Sequence, residues 1–253
     1  MPQHKGVADL FRGRRHIGPA VPDGVRVYAI GDVHGRADLL DRLLERIWAD
    51  AGEGPLCNLI VLLGDYVDRG QQSRQVLERL VAFDRPGWRM VALRGNHDQM
   101  VLNFLADPPI YRAWREFGAP QTLVSYGVAP PADDKNSLER ARDALAAAMP
   151  EAHVDFLRTL PYSHVVGGYM FVHAGVRPGV ALDRQVPADL MWIRDEFLLS
   201  DCAFGKIVVH GHTPSERPVV MPNRIGVDTG AYATGCLTAV VLEGGEHSFL
   251  SVG

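Results

Sequence analysis

Three segments of the chain repeat one pattern: a short apolar run, a polar loop that contains glycine, and an amphipathic run with helical spacing. The apolar runs predict buried strands, and the spaced leucines predict helices. A repeated strand, loop and helix is typical of parallel strands joined by crossovers, and therefore of an α/β fold. The predicted strands are Val25–Ile30, Leu59–Leu63 and Arg89–Leu93, and the first two are followed by predicted helices at Ala37–Asp50 and Ser73–Phe83.

The three polar loops carry carboxylates, imidazoles and arginines. They read Gly31-Asp32-Val33-His34-Gly35, Gly64-Asp65-Tyr66-Val67-Asp68-Arg69-Gly70 and Arg94-Gly95-Asn96-His97-Asp98. Because the carboxyl ends of parallel strands meet at one edge of a sheet, we expect the loops to converge. Carboxylates offer oxygen ligands to cations, and arginine offers a planar fork for phosphate. One such loop alone could be a surface turn with a salt bridge, but three together favour a binding site.

The chain changes character after the third loop. Residues 99–161 are mostly helical in pattern, and two Pro-Pro pairs break them into pieces. This segment is either a helical insertion that adds core or a cap that shapes access to the site. The strand pattern then returns at Tyr169–Val172 and Ile207–Val209, which lead to His173 and His212. The remaining predicted elements are strands at 225–230 and 236–242 and a helix that begins near Asp189.

The composition is that of an ordinary soluble globular protein. Of 253 residues, 47% are hydrophobic and 22% charged, and the net charge of −4 gives no reason to expect a nucleic-acid partner or an acidic membrane surface. No apolar run approaches the roughly 18–20 residues that span a bilayer. Three scattered cysteines suggest a reducing, cytoplasmic setting. We expect residues 1–24 to be a flexible, mildly basic lead-in and residues 25–253 to form one domain.

Six side chains at the strand ends could bind metal. They provide oxygen and imidazole donors without a thiolate, which suits Mn²⁺, iron or Zn²⁺. Six donors exceed the four of a structural zinc site and suffice for two ions that share one bridging carboxylate. A single histidine at a strand end is more often structural, but six such residues at one edge favour a metal site. The candidates are Asp32, His34, Asp65, Asn96, His173 and His212.

Five motifs in this order resemble those of the calcineurin-like metallophosphoesterases. The three loops resemble the family's first motifs, and His173-Ala174-Gly175 and Gly211-His212 resemble its two later histidine motifs. The set is most similar to the PPP-type serine/threonine protein phosphatases, including bacterial and phage members. Pro214 stands where many relatives outside that branch carry another histidine. The resemblance implies a β-sandwich of mixed sheets flanked by helices, with the insertion at 99–161 near the active site.

The resemblance also implies a role for each candidate residue. Two divalent metal ions are implied, with manganese preferred over iron or zinc. Asp32 and His34 would hold the first ion, and Asp65 would bridge both. Asn96, His173 and His212 would complete the second. His97 would protonate the leaving group with Asp98 fixing its tautomer, and Asp68 would orient an arginine or a histidine. The implied phosphate-binding residues are Arg69, Arg94 and Arg194, of which Arg69 and Arg94 would also stabilise charge in the transition state.

The resemblance favours dephosphorylation of phosphoserine and phosphothreonine in proteins, with phosphotyrosine as a further substrate, by a water activated between two metals. A symmetrical bis(5'-nucleosyl)-tetraphosphate hydrolase is the alternative enzyme, because it shares the same motifs. A catalytically silent phospholigand-binding relative is the alternative of another class. The expected partner is thus a phosphoprotein or a small phosphoester, and the sequence leaves the oligomeric state open.

Overall fold

The structure is a computed structural model that describes residues 18–52 and 57–253. Residues 1–17 of the expected lead-in lie outside the described residues. Within these two ranges, no helix is both long enough and apolar enough to cross a bilayer.

The first of two five-stranded sheets contains the three predicted parallel strands. Its order is β10-β9-β1-β2-β3, with β1, β2 and β3 parallel and β9 and β10 antiparallel. Helices α1 and α2 connect the parallel strands, as the sequence predicts. The bounds are β1 Val25–Ile30, α1 Ala37–Ala51, β2 Cys57–Leu62, α2 Ser73–Val81, β3 Trp88–Ala92, β9 Leu237–Glu243 and β10 Glu246–Val252.

The second sheet has the order β4-β5-β6-β8-β7. Its three central strands β5, β6 and β8 are parallel, and the edge strands β4 and β7 are antiparallel to their neighbours. The sequence missed β4, β7 and β10, because edge strands that are exposed on one side lack the continuous apolar run of a central strand. The bounds are β4 Ser163–Val166, β5 Tyr169–Val172, β6 Ile207–His210, β7 Val219–Met221 and β8 Arg224–Gly226.

Strand alternation divides the core into layers. In β1, Val27 and Ala29 face the second sheet, where they meet Phe171 and Val209. Tyr28 and Ile30 face the helices on the other side. Side chains of successive strand residues point to opposite faces, so one apolar strand serves two cores. A third core lies between the outer face of the second sheet and two short helices. The predicted α/β sandwich of mixed sheets flanked by helices is confirmed.

Residues 99–161 pack their apolar side chains into the same core as α1 and α2. Leu123, Leu138 and Leu157 are all buried there. The segment therefore adds to the hydrophobic core, as the hypothesis of a helical insertion predicts. The helices here are α3 Asn96–Ala106, α4 Tyr111–Trp114, α5 Ala119–Ser125, α6 Lys135–Ala148 and α7 Glu151–Thr159, with 3₁₀ turns at Pro108–Ile110 and Arg115–Phe117.

The helix that the sequence predicts from Asp189 is interrupted. It forms as α8 (Pro187–Trp192), stops at Ile193, whose backbone is extended, and resumes as α9 (Asp195–Leu198). The predicted strand at 225–230 also ends early, since β8 stops at Gly226 and the chain turns into α10 (Ala231–Thr234). Both departures create loops at the sheet edge that carries the polar motifs.

We predict that His153 makes the protein less stable as pH falls. His153 is buried in α7 against the hydroxyl of Tyr126, and burial lowers its pKa. In the unfolded chain the imidazole of His153 takes up a proton near pH 6.5, whereas burial opposes protonation in the folded chain. The contribution of His153 to the free energy of unfolding is therefore complete above that pH and is lost as the pH falls below it. His153→Gln should therefore reduce the slope of unfolding free energy against pH below about pH 6.5. Urea titrations measure the slope. Asn136→Gln, at an exposed residue with no titratable group, should not change it.

Candidate active site

The ends of five strands bring the predicted metal ligands together. The loop after β1 carries Asp32 and His34, and the loop after β2 carries Asp65. The start of α3 carries Asn96, and β5 and β6 lead to His173 and His212. All six side chains are buried, with 5% or less of their surface exposed. Buried charges and imidazoles require partners, so their clustering in one place indicates a built site.

The backbone is strained at this site. In residues 18–52 and 57–253, five residues other than glycine have positive φ, and all five belong to the candidate site or its adjoining loop. Such conformations cost about 1–3 kcal/mol each and persist where surrounding contacts enforce them. The five are His34, Asp65, Asp68, Arg69 and His212.

The carboxylate of Asp65 lies at the centre of the cluster. Its Oδ2 is 3.5 Å from Nε2 of His34, 3.4 Å from Nε2 of His173 and 3.8 Å from Nε2 of His97. Its Oδ1 accepts the backbone N–H of His97 at 3.0 Å. Gly95 permits this approach, because a Cβ there would overlap the Asp65 side chain.

Backbone carbonyls fix the tautomers of two histidines. Nδ1 of His34 lies 2.8 Å from the carbonyl oxygen of Val67, and Nδ1 of His173 lies 2.9 Å from that of Leu63. Each Nδ1–H therefore donates to a carbonyl, which leaves the Nε2 lone pair directed at Asp65. Carbonyl contacts of this kind orient metal-binding histidines. Burial lowers the pKa of both rings, to about 3 for His34, so both are neutral and able to bind a cation.

The surroundings of His173 fit a cation better than a network of hydrogen bonds. Its unprotonated Nε2 lies 2.9 Å from Oδ1 of Asn96 and faces the oxygen of Asp65. Three electron-pair donors thus point at one another. Nδ1 of His212 is 3.1 Å away, and its buried Nε2 has no hydrogen-bond partner among the described residues. A shared cation would satisfy this arrangement, and the side chains form two groups that can hold metal, His34–Asp65–His97 and Asp65–His173–His212.

Asp32 lies on the other side of the cluster with an unexpected neighbour. Its carboxylate accepts the backbone N–H of His212 at 3.1 Å. Burial and the negative charges of Asp228 and Asp65 raise its pKa well above the usual range. Asp228, buried after β8, was not among the sequence candidates, although it also follows a strand at this sheet edge. Three buried carboxylates close together add to the requirement for positive charge here.

Asp68, and not Asp98, pairs with the ring of His97. Oδ2 of Asp68 lies 2.7 Å from Nδ1 of His97, so the expectation that Asp98 fixes this tautomer is wrong. The expectation that Asp68 orients a histidine or an arginine agrees with the geometry. Burial opposes protonation of His97, but the charges of Asp65 and Asp68 outweigh it and raise its pKa.

Asp98 instead joins two of the loops through the backbone. Its fully buried carboxylate accepts N–H groups from Asp65 at 2.8 Å, Tyr66 at 2.9 Å and Gly95 at 3.0 Å. Asp98 occupies the first turn of α3, where a carboxylate caps free N–H groups. The residue thus holds the Asp65 loop against the start of α3.

Two residues of the insertion hold Asp68. Nε1 of Trp114 donates to Oδ2 of Asp68 at 2.7 Å, and Oγ1 of Thr122 donates to Oδ1 at 2.6 Å. The backbone N–H of Asp68 also donates to Oγ1 of Thr122. The sequence could not reveal these contacts, because they join residues about fifty positions apart. The insertion therefore supports the site through Asp68 as well as adding core.

Of the three predicted phosphate-binding arginines, Arg94 has another role. Its two terminal nitrogens donate to carbonyls of Leu157 and Arg158 and to Gln99. These bonds satisfy the carboxyl end of α7, so the guanidinium is already used inside the protein. The expectation that Arg94 binds phosphate is wrong for this reason.

Arg69 and Arg194 do lie at the site. The guanidinium of Arg69 is 3.4 Å from Nε2 of His97 and 4.4 Å from the ring centre of Tyr232. The guanidinium of Arg194 lies 3.3 Å from the hydroxyl of Thr213, the residue after His212. Two aromatic rings adjoin the centre: the ring of Trp192 is 6.2 Å from His212, and the ring of Phe117 is 5.8 Å from His97. Neither aromatic residue carries a signal in the sequence.

Comparisons with known proteins agree with this geometry. The chain is 32% identical over 169 residues to a symmetrical bis(5'-nucleosyl)-tetraphosphatase of Janthinobacterium sp. (strain Marseille), which covers 64% of this chain and 50% of the relative. The chain spans about half the length of the first three curated relatives that it matches.

Two solved structures share the fold. A candidate diadenosine tetraphosphatase has a TM-score of 0.63 at 22% identity and covers 90% of this chain and 94% of its own. The cold-active protein-tyrosine phosphatase of a psychrophilic Shewanella species has a TM-score of 0.62 at 17% identity. The match covers 92% of this chain and 83% of the phosphatase. The family model for calcineurin-like phosphoesterases matches residues 25–245, and the chain therefore belongs to the calcineurin-like phosphoesterase family.

Proposed function

We propose that this metallophosphoesterase hydrolyses dinucleoside tetraphosphates with the help of two divalent metal ions. Manganese is the metal that we expect first. The observation that carries the proposal is the Asp65 carboxylate, with three imidazole nitrogens within 3.8 Å of one oxygen and the paired His97–Asp68 beside it. The substrate class is supported by the relatives, since the curated tetraphosphatases share about 30% of aligned residues with this chain.

Six residues would hold the ions. We assign Asp32 and His34 to one ion, Asp65 to both, and Asn96, His173 and His212 to the other. His97 is also near enough to bind, but its two nitrogens face Asp68 and the Arg69 guanidinium. A cation at its Nε2 would be repelled by that arginine. When bound, two such ions lower the pKa of a water and neutralise phosphate oxygens.

The protein's own groups would guide the phosphate and the proton. We assign Arg69 to the phosphate oxygens, because its guanidinium lies beside His97 and is held against Tyr232 by a cation–π contact. Protonated His97, its Nδ1–H donated to Asp68, would present Nε2–H to the leaving oxygen. Arg194 would contact a neighbouring phosphate from the His212 side.

Protein phosphatase activity is the second candidate. The order of the motifs and Pro214 in place of a further histidine favour it. The shared fold with a protein-tyrosine phosphatase does not decide between the candidates, because folds of this kind carry several substrates.

We predict that diadenosine tetraphosphate is cleaved to two ADP molecules with higher kcat/KM than phosphoserine or phosphotyrosine peptides. The full chain would be stripped with a chelator and assayed with Mn²⁺, Zn²⁺, Fe²⁺ or Mg²⁺ restored. Chelation and Asp65→Asn should each abolish turnover, because either change removes the shared centre. Faster turnover of the peptides would refute the dinucleotide assignment, and full activity after chelation would refute the metal assignment.

We predict that replacing Asp68 lowers catalysis, whereas replacing Asp98 lowers stability. Asp68→Asn should lower kcat by about 10²–10⁴-fold, because His97 loses the partner that keeps its proton available. Asp98→Asn should mainly lower stability, by about 1–3 kcal/mol, because an amide oxygen cannot accept all three N–H groups. Steady-state kinetics and thermal unfolding of both variants separate the two roles. If Asp98→Asn reduced kcat in a fully folded protein as much as Asp68→Asn, the assignment of the pair would fail.

We predict that Thr122→Val also lowers kcat, by about tenfold, although Thr122 lies outside the metal loops. The change removes two hydrogen bonds with Asp68, of which the one donated to the charged carboxylate is worth about 1.5–3 kcal/mol. Because Thr122 acts through Asp68 on His97, the proposed proton donor, the variant should also shift the basic limb of the kcat–pH profile. Thr122→Ser should restore both. Thr159→Val is the matched control, because that exposed hydroxyl bonds only to carbonyls of its own helix.

A further inference from the structure

We propose that the groove beside Trp192 and Arg194 is a nucleobase subsite, which holds one nucleoside of a dinucleoside polyphosphate while its phosphate chain reaches Asp65. This inference rests on the proposed function and names the part of the site that distinguishes a nucleotide from a simple phosphoester.

The groove adjoins the candidate metal centre. It encloses about 420 Å³ and forms where α8 ends, the chain extends at Ile193, and α9 begins. Trp192 stands between groove and centre, with its ring 6.2 Å from that of His212 and 6.0 Å from that of Phe117. A ligand in the groove therefore lies directly beside the residues assigned to metal and phosphate.

Trp192 is an unusual residue to leave at the surface. Its two neighbours in α8, Leu190 and Met191, are buried in the core, whereas Trp192 is 39% exposed. Both of its aromatic contacts are edge-to-face, so in the described part of the chain no ring is stacked parallel on the indole. An exposed indole next to a catalytic centre is suited to stack on a flat ring from a ligand.

The charged groups around the groove suit the phosphate and the nucleoside of a nucleotide. On the side of the metal centre, the guanidinium of Arg194 has Thr213 as its one hydrogen-bond partner within residues 18–52 and 57–253, so most of its donors remain available to a phosphate. Further out, Arg177 is held by two bonds to Asp189 and offers no comparable free charge. Asp195 and Glu196 also line the groove and supply carboxylate acceptors. A phosphate is favoured beside Arg194, and a neutral group with hydroxyl or amino donors is favoured beyond it.

A phosphate-binding arginine, a stacking ring and hydrogen-bond acceptors around one groove beside the centre match a nucleoside linked through its phosphates. The interruption of the helix at Ile193 makes it possible. A continuous helix from Pro187 to Leu198 would place Trp192 and Arg194 two positions apart on opposite-facing sides, because each helical residue turns the direction by about 100°.

Binding calorimetry tests the subsite separately from catalysis. With Mn²⁺ present, ADP and pyrophosphate are titrated into the full chain and into Trp192→Ala, Trp192→Phe and Leu199→Ala. Trp192→Ala should weaken ADP binding about ten- to hundredfold, the expected range for loss of one base–aromatic stack, and weaken pyrophosphate far less. Trp192→Phe should recover most of the ADP affinity. Leu199→Ala, at an 80% exposed residue, should match the wild type for both ligands.

Kinetics with diadenosine tetraphosphate then connects the subsite to turnover. Trp192→Ala should raise KM by a similar factor with a smaller change in kcat. Unchanged ADP affinity in Trp192→Ala, or equal losses for ADP and pyrophosphate, would overturn the subsite. A larger loss for a phosphotyrosine peptide than for ADP would assign the groove to peptides and overturn it too. Wild-type protein that binds ADP through Trp192 but leaves the dinucleotide intact would instead refute only the proposed function.

Discussion

The site depends on keeping the Asp65 carboxylate buried beside the neutral imidazoles of His34 and His173. A charge with less than a tenth of its surface exposed is costly unless partners compensate it, and the histidines around Asp65 direct lone pairs at it. Carbonyls of Val67 and Leu63 enforce that orientation by accepting the Nδ1–H of His34 and His173. The arrangement is unfavourable without a cation and favourable with one. Cation binding and the stability of this sheet edge are therefore expected to be coupled.

The scaffold maintains this arrangement through strain and backbone contacts. Positive φ at His34, Asp65 and His212 turns each ligand inward immediately after its strand. The Asp98 carboxylate ties the loop after β2 to the start of α3, so ligands from two crossover units move as one body. The sandwich core beneath, with its alternating faces on β1, supplies the rigidity that such strain requires.

The helical insertion at residues 99–161 does more than cover the core. It shares the core of α1 and α2, and through Trp114 and Thr122 it also holds Asp68, the partner of His97. Residues 99–161 thereby connect the packing of one outer layer to the His97–Asp68 pair. Phe117, from the same segment, packs between His97 and Trp192 and so links that pair to the proposed nucleobase groove.

The sequence by itself determined the fold class, the positions of the parallel strands and the convergence of the three loops, because strand periodicity and glycine-bounded polar motifs are local signals. It also selected the six side chains that the structure brings together around Asp65. It misjudged Asp98 and Arg94, and it assigned no role in the site to Asp228, Trp114, Thr122 or Trp192. Adjacency in the chain suggested that Asp98 serves His97, yet in the first turn of α3 its carboxylate faces free backbone N–H groups. Which partner a buried polar group finds is decided by residues far away in sequence, and only the tertiary structure brings those together.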